Sequence, residues 1–100
     1  MELIKKSPIN YIKHSLFRVK IEGESCWPKL IPGKTYLGTC IFKPRVGDFV
    51  VFKNAGQGLL VKEVKAINYQ GYIVGGTLSF AKNMRINKNS ILGKICLCLN

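Results

Sequence analysis

Residues 17–33 read Phe17-Arg18-Val19-Lys20-Ile21-Glu22-Gly23-Glu24-Ser25-Cys26-Trp27-Pro28-Lys29-Leu30-Ile31-Pro32-Gly33. The first six alternate without a fault. Phe17, Val19 and Ile21 face one way, and Arg18, Lys20 and Glu22 face the other, which is the pattern of a half-buried β-strand. Gly23 then permits a sharp change of direction, and Pro28, Pro32 and Gly33 keep the segment up to residue 33 irregular. Outward from this stretch the same grammar repeats. Thr35–Phe42, Asp48–Lys53, Leu59–Asn68, Tyr72–Val74 and Ile91–Leu99 read as strands. Pro44–Asp48, Asn54–Gly58, Tyr69–Gly71 and Gly75–Gly76 read as turns or breaks. Six short strands with turns every 8–12 residues predict a mostly β fold, a coiled antiparallel sheet or barrel-like closure of one. Before it, residues 1–16 read as an N-terminal extension with a short helix over Pro8–Leu16, capped by Ser7.

The chain has 100 residues, 47% of them hydrophobic. That allows one domain, residues 1–100, and leaves no room for a second module. Lys and Arg number 16, Asp and Glu only 5, and the formal net charge is +11. The acids are Glu2, Glu22, Glu24, Asp48 and Glu63, and the single histidine is His14. So few acids argue against carboxylate-rich calcium or magnesium sites and against a two-carboxylate glycosidase. One histidine excludes His-rich zinc sites, and a Ser-His-Asp triad could only use His14. No cofactor and no metal is expected. The cysteines, Cys26, Cys40, Cys96 and Cys98, lack C-x-x-C spacing and read as small core hydrophobes.

The longest apolar stretch, Ile91–Leu99, is broken by Lys94 and is far short of the ~20 residues of a membrane-spanning helix. The N-terminus has no apolar core of a secretory signal. The expectation is a cytoplasmic protein without a transmembrane helix in this chain. The positive charges are scattered, with no run longer than two, and only three are Arg. The scattered lysines therefore read first as a solvated surface; nucleic acid is not the expected partner, and peripheral contact with an anionic membrane stays open as a second use of the charge.

Two residues carry candidate chemistry. Ser25 lies in a turn directly after a strand, where a hydroxyl stays accessible beside backbone N–H groups. A serine in a turn is common and means little alone. In Leu59–Ala66 the period of two puts Lys62 on a face with Leu60, Val64 and Ala66, and sets Glu63 with Lys65 on the other. A lysine among apolar neighbours resists being charged. It either snorkels to water or serves as a base. A neutral Lys62 could take the Ser25 proton and leave Ser25 Oγ to attack a carbonyl, a Ser–Lys dyad that needs neither His nor Asp. Side chains of neighbouring turn residues diverge, so Cys26 reads as lining the pocket, Trp27 as a packing aromatic, and Asp48 as ordering a turn.

The order of these segments resembles the signal peptidase family of Ser–Lys peptidases, most closely its short nickel superoxide dismutase maturation members, and more distantly LexA-type self-cleaving domains. The family pattern G-x-S-M-x-P-T-L-x-x-G-D is met by Gly23 to Lys34. The pattern G-D-h-V-h (h apolar) is met by Gly47-Asp48-Phe49-Val50-Val51, h-V-K-R-V by Leu60-Val61-Lys62-Glu63-Val64, and h-h-G-K/R-h by Ile91-Leu92-Gly93-Lys94-Ile95. The resemblance spans Phe17 to Leu99. It implies Ser25 as nucleophile, Lys62 as general base, the Ser25 backbone N–H as an oxyanion donor, and the coiled sheet of that family. It also implies an extended peptide or protein segment as substrate, bound as an added strand and cleaved through an acyl-enzyme. Cys26 stands where the family has Met, Lys34 where it has Asp, and Glu63 where it has Arg. The family's G-D-N is Gly75-Gly76-Thr77. Of its S-x-D-S-R block, Ala81 to Arg85 here, only Arg85 keeps its place, as a supporting residue. Two other readings stay open at this point. One is a catalytically decayed module that binds peptide or protein, and the other a basic nucleic-acid-binding β-domain.

Overall fold

The run Phe49-Val50-Val51-Phe52 shows how the molecule is layered. Val50, Val51 and Phe52 are all fully buried. In a strand, neighbouring side chains point to opposite faces, so an unbroken apolar run needs cover on both sides. One face joins Phe17, Val19, Ile21, Cys26, Leu30, Tyr36, Val51 and Val61 in a first core. The other joins Val50, Phe52, Leu60, Val64, Val74 and Ile86 in a second.

The computed structural model describes residues 2–3, 16–56, 58–77 and 82–99. Its strands are β1 (Glu2–Leu3), β2 (Leu16–Glu22), β3 (Thr35–Thr39), β4 (Phe49–Asn54), β5 (Gly58–Asn68), β6 (Gly71–Gly75), β7 (Met84–Ile86) and β8 (Ile91–Cys98), with a 3-10 turn at Lys88–Ser90. They form one antiparallel sheet in the order β1-β2-β3-β8-β4-β5-β6-β7, and β1 also pairs with β5. The bridge from β2 to β5 is only the two residues of β1. Beyond β5, β6 and β7 run on as an open wing, so the sheet coils but is not a closed barrel.

The mostly β architecture and the antiparallel pairing agree with the sequence reading, and several details do not. Among the described residues there are eight strands, not six. β7 escaped notice because three residues are too few to show a period, and β1 is shorter still. The strand expected over Thr35–Phe42 ends at Thr39, and Ile41, Phe42 and Val46 stand 62% exposed in the loop after it. Of the four cysteines only Cys26 is buried; Cys40, Cys96 and Cys98 are exposed, the last two because β8 outruns the core at its carboxyl end. Leu16 belongs to β2, and the rest of the expected helix, like His14, lies outside the described residues. No helix of the described residues is long and apolar enough to cross a membrane.

Candidate active site

β2 delivers the chain to Gly23, whose φ of 83° suits glycine and turns the backbone out of the sheet. Residues 22–33 form a lobe that closes on itself. The Gly33 N–H donates to Ile21 C=O at 2.8 Å, and the Ile21 N–H donates to Lys34 C=O at 3.1 Å. Inside the lobe Trp27 N–H bonds Glu24 C=O, Leu30 N–H bonds Cys26 C=O, and the Trp27–Pro28 peptide is cis. Cys26 and Leu30 dip into the first core. Their burial orients the lobe, and the residue before Cys26, Ser25, is left half-buried at its surface.

β5 supplies the partner. Lys62 lies between Leu60 and Val64 on its own strand and opposite Val50 of β4, all three buried. Its Nζ donates to Ser25 Oγ at 3.3 Å, joining residues 37 apart in sequence. Hydrogen-bond reach for such a pair is about 2.6–3.2 Å, often looser before substrate tightens it. Cys26 turns the other way. Its Sγ donates to Val61 C=O at 3.4 Å, with Ser25 Oγ 3.9 Å distant. Burial pushes the Cys26 thiol above its usual range, and the Ser25 hydrogen bond and the Lys62 charge only partly counter this. A protonated, core-bound thiol is a poor nucleophile. The hydroxyl is thus the group presented to the amine.

Two further contacts fasten the lobe, and a third completes the ion pairs on Glu63. The Thr77 N–H, just beyond β6, donates to Ser25 C=O at 2.7 Å. Lys29 Nζ reaches Glu63 Oε2 at 3.2 Å, and Lys65 Nζ reaches Glu63 Oε1 at 3.0 Å. Burial raises the Glu63 carboxyl, but hydrogen bonds and charge from Lys65 and Lys29 more than offset it and hold the group below the usual glutamate range. The acid next to Lys62 in sequence is therefore committed to the opposite face, as the strand period required. The Ser25 N–H has no acceptor among the described residues.

Asp48 orders its turn as expected: its carboxylate accepts from the Arg45 N–H at 2.7 Å and from Lys94 Nζ at 3.0 Å. Two expectations are corrected. Trp27 is 50% exposed rather than packed, because Cys26 and Leu30 take the inward places of the lobe. Arg85 does not meet the dyad. It is exposed on β7, opposite Ile73, and its guanidinium donates to Gln70 in the turn before β6, at the other end of that strand from Thr77. Sequence reasoning named Thr77 only as the end of the Gly75-Gly76-Thr77 block, without its contact to the lobe, and gave Lys29 no role. The Gly75-Gly76 break was the available signal for the first; no local pattern marks the second. Among the described residues no three His, Cys, Asp or Glu side chains converge on a point that could hold a metal ion. Comparison with known proteins finds no matching family model, no matching curated protein and no matching solved structure.

Proposed function

We propose that this protein is a serine endopeptidase of the signal peptidase type, acting on an extended peptide or protein segment through a Ser25–Lys62 dyad. One observation carries the reading: an amine flanked by Leu60, Val64 and Val50 sits 3.3 Å from a turn hydroxyl. In its neutral form Lys62 accepts the Ser25 proton as Oγ bonds to the substrate carbonyl carbon. The carbonyl oxygen becomes an oxyanion beside the Ser25 N–H. The C–N bond then breaks, and the leaving amine takes the proton back from the Lys62 ammonium. Water, deprotonated by the Lys62 amine, attacks the ester; the ester C–O bond breaks, and the Lys62 ammonium returns the proton to Ser25 Oγ as the acid product leaves. No cofactor enters these steps.

The test is acylation of the folded protein by a β-lactam or activated ester at pH 8–9, read by intact mass and peptide mapping. One acyl group on Ser25, absent from Ser25→Ala, is the expected result. An intact fold with Ser25 unlabelled overturns the reading and favours a peptide-binding module.

The β3–β4 loop supports a location for this activity at an anionic membrane surface. Ile41, Phe42 and Val46 each stand 62% exposed, interleaved with Lys43 and Arg45. Lys94 Nζ lies 5.9 Å from the Phe42 ring centroid, and Lys88 lines the same cavity as Ile41, Phe42 and Lys43. Each large apolar side chain buried in lipid contributes up to about 1.5–3 kcal/mol, and each basic residue near anionic headgroups about 1 kcal/mol. The protein should sediment with vesicles containing phosphatidylglycerol and not with pure phosphatidylcholine. Ile41→Asp/Phe42→Asp should weaken that binding about tenfold or more. Equal binding to both vesicles, or to neither, removes the membrane from the picture.

A further inference from the structure

The shortest strand lies between β2, which leads to Ser25, and β5, which carries Lys62. Glu2 of β1 pairs with Glu22 of β2 on one side and Leu60 of β5 on the other, and Leu3 pairs with Ile21. Glu22 comes three residues before Ser25, and Leu60 two before Lys62. Both pairings are antiparallel, so β2 and β5 run in the same direction on either side of β1, each toward its own member of the dyad. β2 and β5 do not pair with each other. Between them is a slot one strand wide, with backbone donors and acceptors on both edges. Such edges bind extended peptides through main-chain hydrogen bonds.

We propose that β1 is an autoinhibitory plug: residues 2–3 hold this slot in cis, and an extended peptide reaches Ser25 only by displacing them. The inference rests on the dyad reading above and adds its regulation. Two observations support it. The register of β1 moves from Glu22 back to Ile21 as the chain proceeds, so β1 runs away from Ser25 and does not lead its own following residues toward the hydroxyl. The joint is the shortest in the sheet, two residues on one side and one on the other, so a longer peptide strand can outcompete it.

The experiment removes the pairing without shortening the chain. Glu2→Pro/Leu3→Pro deletes both N–H donors and disfavours strand pairing. Deletion of residues 1–3 serves as a second variant should the prolines disturb folding. Two esters with one leaving group are compared, p-nitrophenyl acetate, which needs no slot, and a hexapeptide p-nitrophenyl ester. If the slot is mostly occupied, freeing it raises peptide-ester acylation of Ser25 by about tenfold or more, while the acetate rate changes by less than about twofold. Unchanged rates with both esters overturn the plug and leave the dyad standing. If neither ester acylates Ser25 in any variant, the dyad reading fails, and the plug is judged by affinity alone. A fluorescent hexapeptide amide should then bind the variants about tenfold tighter than the parent, and equal affinity overturns the plug.

Discussion

Lys62→Met keeps the fold and lowers the rate of Ser25 acylation by about a thousandfold to ten-thousandfold. Methionine has nearly the length of lysine, and Leu60, Val64 and Val50 offer it apolar surroundings, so the packing survives. What disappears is the acceptor for the hydroxyl proton. Lys62→Arg should be as inactive, because a guanidinium does not give up its proton in proteins. Adding Ser25→Ala to Lys62→Met should cost almost nothing further, as members of one catalytic unit are not additive. Stopped-flow acylation, with circular dichroism as the fold control, decides the matter. A Met variant that reacts at the parent's rate ends the role of Lys62 as base.

The second large effect belongs to the first core. Phe17→Ala should cost about 3–5 kcal/mol of a total stability of about 5–15 kcal/mol, measured by urea unfolding. The Phe17 ring is buried, and it lies against two strands that can approach only because they carry glycine there. A Cβ at Gly38 would come 2.5 Å from Phe17 Cε2, and one at Gly93 would come 2.7 Å from Phe17 Cε1. Gly38→Ala alone should cost about 1–3 kcal/mol, with most of it recovered in Phe17→Leu, since the obstacle is the ring. Gly93→Ala should not be rescued, because its Cβ would also stand 2.6 Å from the Thr39 carbonyl oxygen, which is backbone. Equal rescue at both positions would show that the ring is the sole obstacle.

These effects mark where the sequence was readable. Alternation in Phe17–Glu22 and density in Phe49–Phe52 are local consequences of one-sided and two-sided burial, and both appear where the pattern put them. The opposite facing of Lys62 and Glu63 also comes from strand period alone, and the Lys65–Glu63 pair lies where that period requires. The 3.3 Å approach of Lys62 to Ser25 is different in kind. It depends on how the sheet coils and on Cys26 and Leu30 anchoring the lobe, so spacing could suggest the pair but not the distance. The Arg85 assignment failed because it was carried by alignment to a motif, while the side chain's position is set by the pairing of β6 with β7. β1 was illegible because two residues carry no periodicity. Its pairing is a tertiary fact.

The lobe that carries Ser25 is hydrogen-bonded shut at its neck, where Gly33 and Lys34 meet Ile21. Loops with joined ends tolerate substitution and changes of length better than the strands that bear them. It therefore behaves as an interchangeable cassette. Provided Ser25, the two inward anchors Cys26 and Leu30, and the neck are retained, the outward positions Trp27 and Ile31 are open to replacement. A new cleavage preference could be grafted onto this scaffold by exchanging about ten residues, without rebuilding the strands beneath.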